Sequence, residues 1–356
     1  MIFEFTVLMF AFAFSYILIL AITPLAVKIG LVDKPCLRKQ HAGTIPLIGG
    51  LSIFLAVAIS IMAFHPLTMQ IVSYLACAAV IVVLGVIDDY RQLGVKIRLG
   101  VQVLVALVMI YGSEIYIHNL GNLFLLGNID LGWFGIIFTV ISVIACINAF
   151  NMIDGIDGLA GSLSILTLLS VFVLMLFSGN YALVYLPLII VATVLPYLAF
   201  NLGVKGHKNK KIFMGDAGSM FIGLSVIWFL MVGTQTSEPA FRPVTALWII
   251  GVPLMDMMAI IIRRKRKGLS PFSADRDHLH HIFMRVGFSP RKTLSSILFF
   301  AIILSFVGIC GEVLQVPEWI MLALFLIVFI FYSLALQHCW KVARFLRRKK
   351  QTTKKN

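Results

Sequence analysis

Residues 148–161 read Asn148-Ala149-Phe150-Asn151-Met152-Ile153-Asp154-Gly155-Ile156-Asp157-Gly158-Leu159-Ala160-Gly161. Two asparagines and then two aspartates recur every third position, and a glycine follows each aspartate. Apolar runs flank the stretch, over 132–147 and 159–178. A hydrocarbon core of about 30 Å takes about 20 helical residues to cross, so each flank reads as a membrane span. If the stretch is helical, residues three apart share a face with Cβ atoms about 5–6 Å apart. All four oxygen-bearing side chains then point into one small space.

The rest of the chain repeats the pattern of the flanks. Of 356 residues, 60% are hydrophobic and 12% charged, and mean hydropathy is +1.01. A soluble chain carries about twice that charge. The composition predicts an all-α polytopic membrane protein with no soluble domain. Eleven spans are predicted, at 3–27, 47–64, 69–87, 99–117, 132–150, 159–178, 183–200, 218–235, 244–262, 293–311 and 318–340. The first basic residue is Lys28, so the chain does not open like a signal peptide, which starts with a positive region. The five cysteines are scattered without metal spacing and read as small apolar residues.

An odd span count puts the termini on opposite sides, and charge orients them. Segments 28–46, 88–98, 151–158, 201–217, 263–292 and 341–356 fall on one side and hold 28 of the 29 Lys and Arg; only Arg242 falls opposite. Cytoplasmic loops carry the Lys/Arg excess. The N-terminus is therefore expected in the periplasm and the C-terminus in the cytoplasm. Residues 1–340 form one integral membrane domain, and 341–356 form a basic tail. The net charge of +14 needs no nucleic acid. It reflects topology and attraction to anionic headgroups, at about 1 kcal/mol per well-placed cation.

Aspartates collect on the cytoplasmic side, where desolvation against a bilayer is costly without a partner. The first segment carries Asp33-Lys34-Pro35, Arg38-Lys39, His41 and Gly49-Gly50. Glycines and cations at a helix start suit phosphate; an ordinary basic connector is the alternative. Asp88-Asp89 form an adjacent pair that a divalent cation would hold together, or that Arg91, Lys96 and Arg98 compensate. Asp216 sits between Gly215 and Ala217-Gly218, as a ligand or as a helix cap. Asp256 lies within a span, as a functional group or as a partner for a neighbouring span. In the longest loop, Asp277-His278-Leu279-His280-His281 suits phosphate or sugar contacts better than zinc, because no cysteine accompanies it.

Hard oxygen ligands among many cations suggest a magnesium–phosphate site, since Mg²⁺ takes one or two carboxylates plus water and substrate phosphates. At the cytoplasmic face of a helical bundle, that suggests a soluble phosphorylated donor and a lipid acceptor. A secondary transporter is the rival class, but it would place its site near the midplane between repeated halves, and no repeat is visible. A CDP-alcohol-type phosphotransferase needs a longer aspartate run than 154–161 provides.

Taken in order, five motifs resemble the polyprenyl-phosphate N-acetylhexosamine-1-phosphate transferases. They are Asp33-Lys34-Pro35 with Arg38-Lys39, His41 and Gly49-Gly50; Asp88-Asp89; Asn148 to Gly158; Phe213-Met214-Gly215-Asp216 with Gly218-Ser219; and Asp277 to His281. The His-x-His-His pattern departs from the three consecutive histidines of the peptidoglycan members. It is most similar to members that act on UDP-N-acetylglucosamine and undecaprenyl phosphate, and teichoic-acid linkage members share it.

The resemblance implies transfer of N-acetylglucosamine 1-phosphate to undecaprenyl phosphate with release of UMP. It implies Mg²⁺ as cofactor, with Mn²⁺ able to substitute. It also implies a bacterial inner-membrane setting, at the first lipid-linked step of O-antigen/lipopolysaccharide or enterobacterial-common-antigen-type glycan synthesis, and leaves homodimer formation open. The implied metal set is Asp88, Asp89, Asn151 and Asp216. Asp88 positions or deprotonates the lipid phosphate, Asp157 contacts uracil, and Asp154 orders the loop or the nucleotide. Asn148, Arg38, Lys39 and Arg98 are substrate contacts. Arg276, His278, His280 and His281 lie over sugar and pyrophosphate. The loop 151–158 has no Lys or Arg, so Asp154 and Asp157 are expected to be free of a basic partner.

Overall fold

A computed structural model describes residues 2–33, 43–179, 183–204, 206–207, 210–270 and 278–353, with side chains to 336. The apolar runs fold as helices: α1 Ile2–Ile29, α2 Gly49–Phe64, α3 Met69–Arg91, α4 Val95–Ser113, α5 Phe134–Ile153, α6 Leu159–Ser178, α7 Leu186–Asn201, α8 Gly215–Thr234, α9 Pro243–Ile249, α10 Gly251–Arg266, α11 Leu279–Val286, α12 Pro290–Val313 and α13 Glu318–Thr353. The strands β1 Val32–Asp33 and β2 Ile45–Pro46 pair antiparallel after α1.

Eight described helices are long and apolar enough to cross a membrane, or nine if the bent pair α9 and α10 counts as one span. Of the expected spans, 47–64 and 183–200 appear as sixteen-residue helices, about 24 Å long at 1.5 Å per residue. That is shorter than a hydrocarbon core. The expected straight span 244–262 is bent by 81° between α9 and α10. Pro253 explains the break: it lacks an N–H for the carbonyl of Ile249, and its ring crowds that carbonyl. Helix α13 runs unbroken past residue 341, so the basic tail continues the last apolar helix.

Helix α8 is the hub. Ninety-four per cent of its apolar window is buried inside the protein, against 22% for α1, whose outward residues are large and apolar. It packs against α2, α3, α5 and α6. Small residues allow the close approaches, as between membrane helices generally. A side chain at Gly50 would collide with Gly218, one at Gly85 with Ala217, and one at Gly223 with Ile147. Tyr74 of α3 closes the middle of the contact, with its hydroxyl 2.8 Å from Ser225 and its ring stacked on Trp228.

The segment after β2 fixes where α8 begins. Phe213 donates to the Pro46 carbonyl, and the Gly49 and Gly50 N–H groups donate to the carbonyls of Phe213 and Met214 at 3.0 and 2.9 Å. Those two amides are therefore not open to phosphate, as the glycines had suggested. They hold the N-terminus of α8 in place.

Candidate active site

Helix α3 continues a turn beyond its apolar run, so Asp88 and Asp89 are helical rather than in a loop. Adjacent helical positions are turned about 100° apart, and the two carboxylates face different partners. Asp88, 4% exposed, accepts from the Leu93 N–H at 2.6 Å and from Arg98 Nη1 at 2.9 Å. Arg98 lies in the first turn of α4 and remains partly exposed. Asp89 reaches across to α8 and accepts from the N–H groups of Asp216 and Ala217 at 2.9 and 3.3 Å. The cap of α8 thus comes from another helix rather than from Asp216. Gly215 has φ +72°, and a Cβ there would meet the Asp89 carboxylate.

Asp216, one residue into α8, is left to face the site. Asn151 on α5 donates to its Oδ1 at 2.7 Å and to Ser219 Oγ at 3.0 Å. The Asp88 carboxyl also comes within hydrogen-bonding reach of Asp216. Two carboxylates only accept, so this approach calls for a proton or a cation between them.

The stretch 148–161 does not converge as one face. Helix α5 ends at Ile153. Asn148 turns toward α4 and donates to Gln102 Oε1 at 2.8 Å, while Asn151 meets Asp216. Asp154 and Asp157 follow in a turn closed by Gly158 at φ +78°. Burial, with the negative charges of Asp216 and Asp157 added, pushes Asp154 up to about 7. Asp157 is not free of a basic partner: Lys211 Nζ lies 2.6 Å from its Oδ2. The loop has no cation of its own, but the segment leading into α8 supplies one.

Buried Asn201, at the end of α7, stitches those two segments together. It accepts from the Gly158 N–H at 2.7 Å and donates to the Ile212 carbonyl at 2.9 Å. Sequence reading gave Asn201 no role, although an asparagine closing an apolar span was a visible signal.

The histidines pack against the turn that follows α5. His278 occupies the position just before α11, and its ring lies parallel to that of His280 at 5.7 Å. His280 is 1% exposed and packs where a Gly155 side chain would be. Burial, then the neighbouring His281, push the His280 imidazole down to about 3. Neither of its ring nitrogens has a hydrogen-bond partner among the described residues. His281 lies against His280 at 4.2 Å between ring centroids. Arg38, Lys39 and Arg276, with His41 and Asp277, fall outside the described residues.

Among the described residues, no group of three or more His, Cys, Asp or Glu side chains is arranged as a metal cage. The donors at Asp216 do suit a hard cation shared with substrate. Asp88 and Asp216 face each other, and Asn151 offers an amide.

Residues 71–234 match the family described as glycosyl transferase family 4. The chain is 44% identical over 347 residues to an undecaprenyl-phosphate alpha-N-acetylglucosaminyl 1-phosphate transferase of Yersinia pestis, covering 97% of this chain and 95% of that protein. It is 43% identical to the protein of that name in Escherichia coli K12, with 97% and 94% covered, and 41% identical to that of Pasteurella multocida, with 98% of each covered. Five ordered motifs, a carboxylate cluster at the ends of α3, α5 and α8, and identity along nearly the whole length agree: the chain belongs to the undecaprenyl-phosphate alpha-N-acetylglucosaminyl 1-phosphate transferases of glycosyl transferase family 4.

Proposed function

We propose that this chain transfers N-acetylglucosamine 1-phosphate from UDP-N-acetylglucosamine to undecaprenyl phosphate, giving undecaprenyl-diphospho-N-acetylglucosamine and UMP. The observation that carries the reading is the Asp88–Asp216–Asn151 cluster beside Arg98, in a chain 41–44% identical to transferases of that name. The site opens to the cytoplasm of a bacterial inner membrane in an eleven-span topology, with the N-terminus outside. The 28-to-1 division of Lys and Arg supports that orientation. The product would enter O-antigen/lipopolysaccharide or enterobacterial-common-antigen-type glycan assembly.

In the reaction, an oxygen of the lipid phosphate attacks the β-phosphorus of the nucleotide sugar. The bond from that phosphorus to the bridging oxygen breaks, and UMP leaves with the electron pair. The acceptor's second pKa is near 6, so it needs little help to ionise. What the protein must do is align two anions and neutralise charge. Arg98, oriented by Asp88, faces the phosphates. Asp89 acts by holding the start of α8, and therefore Asp216, in place. The unpartnered nitrogens of buried His280 suit a substrate oxygen, since buried polar groups are normally paired. Asp157 with Lys211 borders the nucleotide. Asp216, with Asp88 and Asn151 beside it, would hold Mg²⁺ or Mn²⁺. The ion would supply positive charge to offset that of the substrate phosphates.

Purified protein in detergent should release UMP only when both substrates and a divalent ion are present. No UMP under those conditions refutes the reading, and labelled solute uptake into vesicles without UMP would favour a transporter instead.

A further inference from the structure

Asp256 lies inside an apolar helix, and the transfer step leaves it without a task. Its carboxylate is 1% exposed. Oδ2 is 2.9 Å from His278 Nδ1, and Oδ1 accepts from the Leu279 N–H and from the Tyr332 hydroxyl, each at 3.0 Å. An ionised carboxylate only accepts, so the ring nitrogen facing it carries the proton. In the neutral imidazole, Nε2 is then the acceptor. The Leu279 contact does a second job. His278 makes no side-chain cap for α11, and Asp256 supplies the missing acceptor from α10. One carboxylate thus fixes both the ring and the start of the helix that follows it.

The ring leads to the site, because His278 stacks on His280 and His280 rests on Gly155, between Asp154 and Asp157. Tyr332 ties α13 to the same point. A carboxylate in an apolar layer is costly unless its acceptor positions are filled, and the hydroxyl is one of the groups that fill them.

We propose that Asp256 is a positioning residue for the transfer reaction, setting the tautomer and aim of His278, with Tyr332 of α13 holding the carboxylate in place. The inference rests on the transferase reading above. Its test uses full-length protein in detergent, UMP release, and ¹⁵N spectra of histidine-labelled protein assigned by His278→Ala.

Asp256→Asn keeps an acceptor for Leu279 and Tyr332 but turns a donor toward His278, which moves the ring proton to Nε2. The expected result is a fall in kcat of at least about 100-fold, with the His278 proton moved in the spectrum. Added to His278→Ala, Asp256→Asn should cost nothing more, because the residue acts through the ring. Tyr332→Phe should slow turnover about 3- to 10-fold, the loss of one hydrogen bond. An Asp256→Asn rate within about twofold of the parent overturns the inference. So does an equal slowing in the His278→Ala background, which would mark a merely structural role. If Asp256→Asn does not fold, a Tyr332→Phe protein with parental rate and parental His278 signals overturns it. A parent that makes no UMP refutes the transferase reading instead, and the His278 tautomer in the spectrum still tests the contact with Asp256.

Discussion

On a helix, adjacent side chains diverge by about 100°, and that angle sends Asp88 to Arg98 and Asp89 to the start of α8. Substitution should separate the two. Asp89→Ala removes a cap, so it should lower stability by about 1–2 kcal/mol and also lose turnover as Asp216 shifts. Asp88→Asn keeps the fold, and its turnover should fall about 1,000-fold. Thermal melts and UMP release on the same samples distinguish them, and equal melts for the two variants would contradict the assignment. His280 offers a pH test. Its folded pKa of about 3 lies below the ordinary 6.5. Its neutral form therefore contributes stability in full above about pH 6.5, and that contribution is lost as pH falls toward 3. The melting temperature of His280→Gln should fall less steeply than that of the parent between about pH 6.5 and 4. Asp154, held up by burial and its neighbours, changes in the opposite sense in both proteins and cancels in the comparison.

Helix ends, rather than loops, build this site, and a glycine decides how closely they meet. Gly155 leaves room for the His280 ring. Gly155→Ala should displace the histidine segment and cut turnover about tenfold or more while α5 and α6 stay packed, as judged by UMP release alongside an unchanged melt. The motif residues were legible because each is a polar group at the edge of an apolar run, where burial costs make it conspicuous. The pairings were not. Asp89 caps a helix 127 residues away, and Lys211 reaches Asp157 from 54 residues on. Nothing in the local pattern around either residue names its partner. Tyr332 is one more aromatic in an apolar helix and gives no signal at all. The bend at Ile250 was readable from Pro253, but a hydropathy window averages across it. The glycines at 49–50 read as a phosphate cradle because exposed helix amides bind anions; the carbonyls of Phe213 and Met214, far along the chain, take those amides instead.

Across the whole molecule, the charge pattern carries a single exception, and the structure accounts for it. Arg242 is the one cation assigned outside, and Glu312 lies 3.2 Å from its Nε. Its other guanidinium nitrogens donate to the Val316 and Gly311 carbonyls at 2.8 and 2.9 Å, and Thr245 donates to the same Glu312. A guanidinium bound into helix ends in this way serves the fold, so it weakens the orientation argument less than a free lysine would. The orientation itself is open to direct measurement. Leu126, 87% exposed in the segment between α4 and α5, and Leu269, 50% exposed after α10, lie on opposite sides in the proposed topology. In a background with the native cysteines replaced, Leu126→Cys should react with a membrane-impermeant maleimide in intact cells whose outer membrane has been made leaky. Leu269→Cys should react only after the inner membrane is opened. The His278 segment follows Leu269 in the same loop, so the reverse labelling would put the histidines outside. A UDP-sugar made in the cytoplasm could not reach them there, and the transferase reading would fall with the topology.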